Sequence, residues 1–177
     1  MMVFLIILSC LFFAGALVAL PTRITIAPAL SYIGLILLSL ATKNGYPLLP
    51  LNGTILTGWF CMTLVVTLAT FLTAPAVRAQ TRGMGYMMIG ALVGLAVGLL
   101  GFTVSSNISL LYSIMILSVI AGIFLGFLLY TQTPSGRPVG PGSGNFFRYL
   151  LAKGFPTAIT VMQIGVVLVL IIALNNH

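Results

Sequence analysis

Few residues of this chain are suited to proton transfer, nucleophilic attack or metal binding. The 177 residues include no Asp or Glu, and the single histidine is His177. Catalysis by paired carboxylates is therefore excluded, and a nucleophile would lack a base that an acid could orient. A metal site would have to use His177 with Cys10 and Cys61, each of which lies inside an apolar stretch. We expect no enzymatic activity, no cofactor and no metal site.

The charged side chains are all cationic and give the chain a formal net charge of +7. Because the chain has no carboxylate side chain, their counterions must come from lipid phosphates, anionic solutes or a partner protein. We expect contacts with anionic lipid headgroups at six of these positions. The six are Arg23, Arg78, Arg82, Arg137, Arg148 and Lys153.

The composition is that of an integral membrane protein. Hydrophobic residues make up 60% of the chain and charged residues only 4%, whereas about a quarter of the residues in a soluble domain are charged. A nucleic-acid-binding domain would carry its basic residues on a polar surface, which this sequence lacks. Residues 1–177 are therefore expected to form a single polytopic membrane domain.

Six apolar segments are candidates for transmembrane helices, which need about 20 residues each. They lie at about 1–20, 26–41, 54–73, 86–104, 108–130 and 156–174. Their continuous apolar character favours helices over barrel strands, which alternate in polarity. The expected fold is an all-α membrane protein with six spans. Five spans stay open as an alternative because the second segment is short and contains Pro28.

The loops carry information about orientation. In the six-span arrangement, Lys43 is the only cation on its side of the membrane, and the positive-inside rule places both termini outside a bacterial inner membrane. In the five-span arrangement, Lys43 and Arg23 share the outer side and the amino terminus moves inside. Residues 131–145 are rich in Pro, Gly and Ser, which predicts a flexible loop without a packed core.

Glycines recur at four-residue spacing in the fourth and fifth spans. Gly90, Gly94 and Gly98 form one series, with Gly101 close to the same helix face. Gly122 and Gly126 repeat the spacing in the next span. A stripe without side chains allows two helix backbones to approach closely. The pattern predicts a glycine-packed hairpin, either inside one subunit or, alternatively, between protomers or along a path for a solute.

The order of these features resembles the small bacterial membrane proteins grouped as domain of unknown function 456. The resemblance lies in a proline-punctuated turn from Leu20 to Pro28, the helix beginning Leu30-Ser31-Tyr32-Ile33-Gly34, the Thr73–Val77 segment with Pro75, the basic stretch at Arg78 and Arg82, Gly83-Met84-Gly85-Tyr86, and the glycine series. The chain departs from the family at Leu72 and Thr73, where an acid usually precedes the central proline. Since that family has no established activity, the resemblance implies a fold and no reaction.

These observations predict a noncatalytic inner-membrane protein with a structural or accessory role. The alternative is a small transporter or channel subunit for an unidentified solute, in which exposed glycine backbone lines the path. Expected partners are anionic membrane lipids, together with a second copy of the chain or a membrane protein that supplies acidic residues. No nucleic acid is expected as a partner.

Overall fold

The chain folds mainly into helices. The computed structural model describes residues 2–43, 46–49, 51–73, 82–101 and 108–175. The long helices are α1 (Met2–Thr22), α2 (Ala27–Ser39), α3 (Gly53–Leu72), α4 (Met84–Leu100), α5 (Ile108–Gln132) and α7 (Phe155–Asn175). A short helix, α6 (Phe146–Tyr149), continues into α7 through a π-helical turn at Leu150–Gly154. An antiparallel pair of two-residue strands, β1 (Thr42–Lys43) and β2 (Tyr46–Pro47), follows α2, and a 3-10 turn at Arg137–Val139 follows α5.

Among the described residues, four helical segments are long and apolar enough to cross a membrane. They are Met2–Thr22, Gly53–Leu72, Ser109–Gln132 and Phe146–Ala173. The prediction of a helical membrane protein is confirmed at this level. α2 has only 13 residues, so it extends for about 20 Å, which is less than the roughly 30 Å of a hydrocarbon core. Pro28 lies in the first turn of α2, where its missing amide hydrogen removes no helix bond.

The segment formed by α6, the π-helical turn and α7 is the centre of the bundle, and we call it the central helix. In its apolar stretch 67% of the residues are buried, against 17% for α1 and for α3. The central helix contacts each of the other five long helices. Its Val161 and Val166 join Met87 of α4 and Met115 of α5 in the main hydrophobic cluster. The other helices therefore surround it.

α4 and α5 share the largest helix–helix contact among the described helices. A Cβ atom at Gly90 would collide with the carbonyl oxygen of Gly122, and a Cβ atom at Gly122 would collide with that of Gly90. Gly126 meets the carbonyl oxygen of Tyr86 in the same way. At these positions no side chain fits between the two backbones.

The remaining glycines of the predicted series differ in how closely they approach α5. A Cβ atom at Gly94 would collide with the carbonyl oxygen of Ser118, and one at Gly98 would lie 2.8 Å from the Cα atom of Met115. At Gly101 the nearest atom would be a side-chain carbon of Ile114 at 3.3 Å. A side chain can move more easily than backbone, so Gly101 is the least constrained of the series.

Residues 133–145, between α5 and α6, form a succession of turns. The amide of Gly136 donates to the carbonyl of Thr133 at 3.0 Å, and the amide of Val139 donates to that of Gly136 at 3.0 Å. Val139 is 4% exposed and belongs to the main hydrophobic cluster. Val139 is therefore an apolar anchor in a segment otherwise rich in turn formers. The predicted flexibility of the loop stays a prediction.

Candidate functional site

A line of polar side chains runs along the central helix through the interior of the bundle. Lys153, Thr157, Thr160 and Gln163 follow one another at intervals of three or four residues, and none is more than 3% exposed. Such intervals place successive side chains about one helical turn apart. Polar groups inside a membrane protein are costly to bury, so they mark positions with a structural or functional role. We take this polar line as the candidate functional site.

Gln163 connects three helices. Its amide nitrogen Nε2 donates a 2.8 Å hydrogen bond to Thr63 Oγ1 on α3, and its oxygen Oε1 accepts a hydrogen bond from Ser31 Oγ on α2. Thr63 Oγ1 also donates to the carbonyl oxygen of Trp59 at 2.7 Å, and Ser31 Oγ lies 3.0 Å from that of Pro28. Both ends of the buried amide group are thus bonded to neighbouring helices.

A second polar contact joins α1 to α2. The buried Ser9 hydroxyl donates a 2.8 Å hydrogen bond to the carbonyl oxygen of Gly34. Gly34 packs closely against the ring of Phe13: a Cβ atom added to this glycine would lie 3.0 Å from a ring carbon. Close approach of the two backbones brings the serine within reach of the carbonyl group.

Lys153 lies in the π-helical turn and is 3% exposed. Its carbonyl oxygen accepts a 2.7 Å hydrogen bond from Thr157 Oγ1. The predicted headgroup contact of Lys153 stays a prediction. Helical structure begins at Phe146, well before the predicted start of the sixth span at about residue 156. π-helical turns occur often at functional sites, which adds to the interest of this position.

Thr160 differs from the other threonine of the polar line in its hydrogen bonding. Its hydroxyl group is buried and has no hydrogen-bond partner within the described ranges, as is also true of Tyr112 on α5. A buried hydroxyl group without a partner costs on the order of 1–3 kcal/mol. Thr160 therefore stands out from Thr157 and Gln163, whose polar atoms have partners.

Contacts between helix ends bring the arginine-bearing loops to one end of the bundle, which we call the basic end. The Tyr149 hydroxyl donates a hydrogen bond to the carbonyl oxygen of Arg82. Ile24, the neighbour of Arg23, packs in one cluster with Met84. Four arginines are exposed around these contacts: Arg23, Arg82, Arg137 and Arg148. Arg78 lies outside the described residues. The exposed arginines are accessible, as headgroup contact requires.

Aromatic packing at the basic end holds α4, α5 and the central helix together. Tyr149 stacks on Phe127 with ring centroids 5.5 Å apart and on Tyr130 at 6.0 Å. Gly83, just before α4, has φ of +87°, and a Cβ atom there would collide with the Tyr130 ring. Only glycine combines that backbone conformation with that contact. No sequence pattern predicts this cluster, because its members come from separate segments and follow no common period.

An apolar groove opens on the surface between α3, α5 and the central helix. Its volume is about 560 Å³. Met62 of α3, Ile120 and Phe124 of α5 and Phe155 of the central helix line it, and each is at least 43% exposed. At the central helix, the groove extends along the π-helical turn, where Leu150 and Gly154 contribute to the lining.

Of the residues considered for metal chemistry, the structure describes the two cysteines. Cys10 on α1 and Cys61 on α3 are both exposed free thiols, and His177 lies outside the described residues. Within the part of the chain that the structure describes, no three His, Cys, Asp or Glu side chains are grouped as ligands of a metal ion would be.

No family model, curated protein or solved structure matches this chain. The resemblance to domain of unknown function 456 therefore stays a prediction. The polar line, the basic end and the apolar groove are the structural features that bear on function.

Proposed function

We propose that this chain is a noncatalytic multispan protein of a bacterial inner membrane, with a structural or accessory role. The observation that carries the proposal is that polar groups of the interior link helices to one another. Gln163 bonds to Ser31 and Thr63, and Ser9 bonds to the backbone of Gly34. Polar groups that are engaged by neighbouring helices hold a membrane bundle together where the hydrophobic effect cannot do so.

Six crossing helices are part of this proposal. α2 is short, but it packs against α1, α3 and the central helix, and a short helix is accommodated by local thinning of the bilayer. If all six long helices cross, the basic end faces the cytoplasm under the positive-inside rule, and both termini lie outside. The packing of Ile24 and Met84 in one hydrophobic cluster supports this arrangement, because it places the α1–α2 connection near the start of α4.

Close packing of α4 against α5 supports a structural role. Close backbone approaches at Gly90, Gly94, Gly122 and Gly126 support a hairpin that packs inside a single chain. We propose that these glycines drive association of the two helices by van der Waals contact.

The exposed arginines determine which partners we propose for the protein. The chain has no acidic side chain, so we propose that anionic lipids, or a membrane protein with acidic residues, supply the counterions. Native mass spectrometry of the protein, gently extracted with its lipids, tests the proposal. An acid-bearing protein that copurifies supports the accessory role, and a monomer or homo-oligomer carrying anionic lipids supports the structural role. A bound small metabolite would favour transport instead.

A second candidate function is that of a small transporter or channel subunit. The observation in its favour is the buried position of Lys153 beside Thr157 and Thr160 on the central helix. An ionisable side chain in the interior of a membrane protein often marks the path of a solute. The cationic character of Lys153 would suit an anion. Solute flux that depends on Lys153 would favour this candidate over the first.

A further inference from the structure

Asn52 and Gly53 form an exposed pair at the start of α3, away from the polar line. Both residues are exposed, and a Cβ atom added to Gly53 would meet no atom within 4 Å. Asn52 directly precedes the first helical residue, yet its side chain makes no capping hydrogen bond to the helix. The carboxamide group of Asn52 is therefore accessible and is not held by the end of the helix.

The backbone amide of Gly53 is a nucleophile next to this carboxamide group in the chain. It belongs to the first turn of α3, where amides have no carbonyl acceptor within the helix, and it donates to no carbonyl group among the described residues. The positive end of the helix dipole favours loss of the amide proton. Ring closure requires rotation from the observed ψ of 151° at Asn52, and a glycine neighbour permits this rotation.

Asn145 provides a comparison within the same chain. It is also exposed, directly precedes a helix, α6, and makes no capping hydrogen bond with its side chain. The next residue is Phe146, whose amide donates a 3.1 Å hydrogen bond to the carbonyl oxygen of Ser143. Phe146 also packs against the main hydrophobic cluster. Of the two asparagines, Asn52 is the one followed by an unbonded amide in open surroundings.

We propose that Asn52 is a site of spontaneous deamidation. The amide nitrogen of Gly53 loses its proton to hydroxide and attacks Cγ of Asn52, so that a carbon–nitrogen bond forms and ammonia leaves with a proton from water. Water then opens the cyclic imide at either carbonyl group, which gives aspartate or isoaspartate at position 52. The reaction requires no oxidant and no reductant. It depends neither on the proposed accessory role nor on transport.

The product carries the first acidic side chain of this protein, which has no Asp or Glu and a formal net charge of +7. Aspartate is favoured at the amino end of a helix, where it accepts hydrogen bonds from the first amides. Isoaspartate inserts a methylene group into the main chain and displaces the carbonyl oxygen of Asn52, which now accepts a 3.1 Å hydrogen bond from the amide of Leu56. Aspartate therefore stabilises the first turn of α3, whereas isoaspartate loosens it.

Incubation of the folded, full-length protein in detergent tests the proposal, at mildly alkaline pH and in heavy-oxygen water. Tandem mass spectrometry of its peptides locates the modification and separates isoaspartate from aspartate. Every protein in the test carries Asn44→Gln, because Asn44-Gly45 is a second pair of the same kind in the sequence. Gly53→Ala tests the role of the neighbouring residue. Gly58→Ala is its matched control, because Gly58 is also exposed in α3, with no atom within 4 Å of an added Cβ.

Asn52 is expected to take up a heavy oxygen atom and to form isoaspartate together with aspartate, while Asn145 stays intact. Gly53→Ala should slow the modification by about tenfold, because a side chain at this position restricts the rotation that ring closure needs. Gly58→Ala should leave the rate unchanged. The rate should rise with pH, because the amide nitrogen attacks without its proton.

Three results would overturn the proposal. One is modification of Asn145 as fast as that of Asn52, and another is an unchanged rate in folded Gly53→Ala. The third is a folded protein in which Asn52 stays intact under conditions that modify the denatured chain, since the helix end would then protect it. Circular dichroism establishes that each variant is folded. If Gly53→Ala does not fold, the comparison of Asn52 with Asn145 decides the question without any change at Gly53.

Discussion

The amide nitrogen of Gln163 lies 2.8 Å from Thr63 Oγ1 and joins the central helix to α3 in the interior of the bundle. The oxygen of the same amide accepts a hydrogen bond from Ser31 on α2. One side chain thus ties together three helices that are far apart in the sequence. Since these contacts lie between helices, they bear on assembly of the bundle and not on the stability of any single helix.

We expect Gln163→Leu to lower the thermal stability of the protein in detergent. Leucine has a similar size but cannot bond to Ser31 or Thr63. Both hydroxyl groups keep a carbonyl oxygen of their own helix within reach, so the loss should be modest, about 1 kcal/mol. The midpoint of thermal unfolding, followed by circular dichroism, measures it.

Gln132→Leu is the matched control for this prediction, because Gln132 is exposed at the end of α5. It should leave the unfolding midpoint close to that of the wild type. If Gln163→Leu is as stable as the control, Gln163 does not hold the helices together.

The glycine contacts predict that Gly94→Leu lowers the thermal stability of the protein more than Gln163→Leu does. The Cβ atom of a leucine there would collide with the backbone of Ser118, which cannot move without separating α4 from α5. Overpacking of this kind costs about 1–3 kcal/mol. Gly85→Leu is the control on the same helix, since Gly85 is exposed and an added Cβ meets no atom within 4 Å. Equal unfolding midpoints for the two variants would show that the close approach contributes nothing to stability.

The six-span arrangement predicts which side of the membrane each connection faces. Single cysteines at Thr22 and Ser135 should react with a membrane-impermeant maleimide only after permeabilisation, and one at Asn52 should react in intact cells. The background for all three carries alanine at Cys10 and Cys61. Labelling of Thr22→Cys together with Asn52→Cys in intact cells would instead show that α2 does not cross, and an inverted pattern would reverse the orientation.

Much of the helical layout could be predicted, because a continuous apolar run that crosses a bilayer forms a helix. The helix expected at about 54–73 is observed at Gly53–Leu72, and the helix expected at about 108–130 is observed at Ile108–Gln132. The start of the central helix could not be predicted. Arg148 and Lys153 are typical of a loop or interface, and only the packed neighbours explain why one of them is buried.

The polar contacts between helices were also beyond prediction. A lone Gln163 in an apolar segment is a signal that some partner exists, but nothing in its own segment identifies Ser31 or Thr63. Those two side chains are separated from it by 132 and 100 residues. The glycine series was easier to interpret, because four-residue spacing defines a helix face without reference to the rest of the chain.

The most direct test of a structural role for the polar line is anion efflux from vesicles. Chloride and phosphate efflux is measured from phosphatidylcholine–phosphatidylglycerol vesicles that contain wild-type protein or folded Lys153→Met, with protein-free vesicles as the baseline. A structural role predicts efflux at the baseline rate for both proteins. Efflux that the wild type accelerates and Lys153→Met abolishes would contradict it and would make Lys153, with Thr157 and Thr160, part of an anion path.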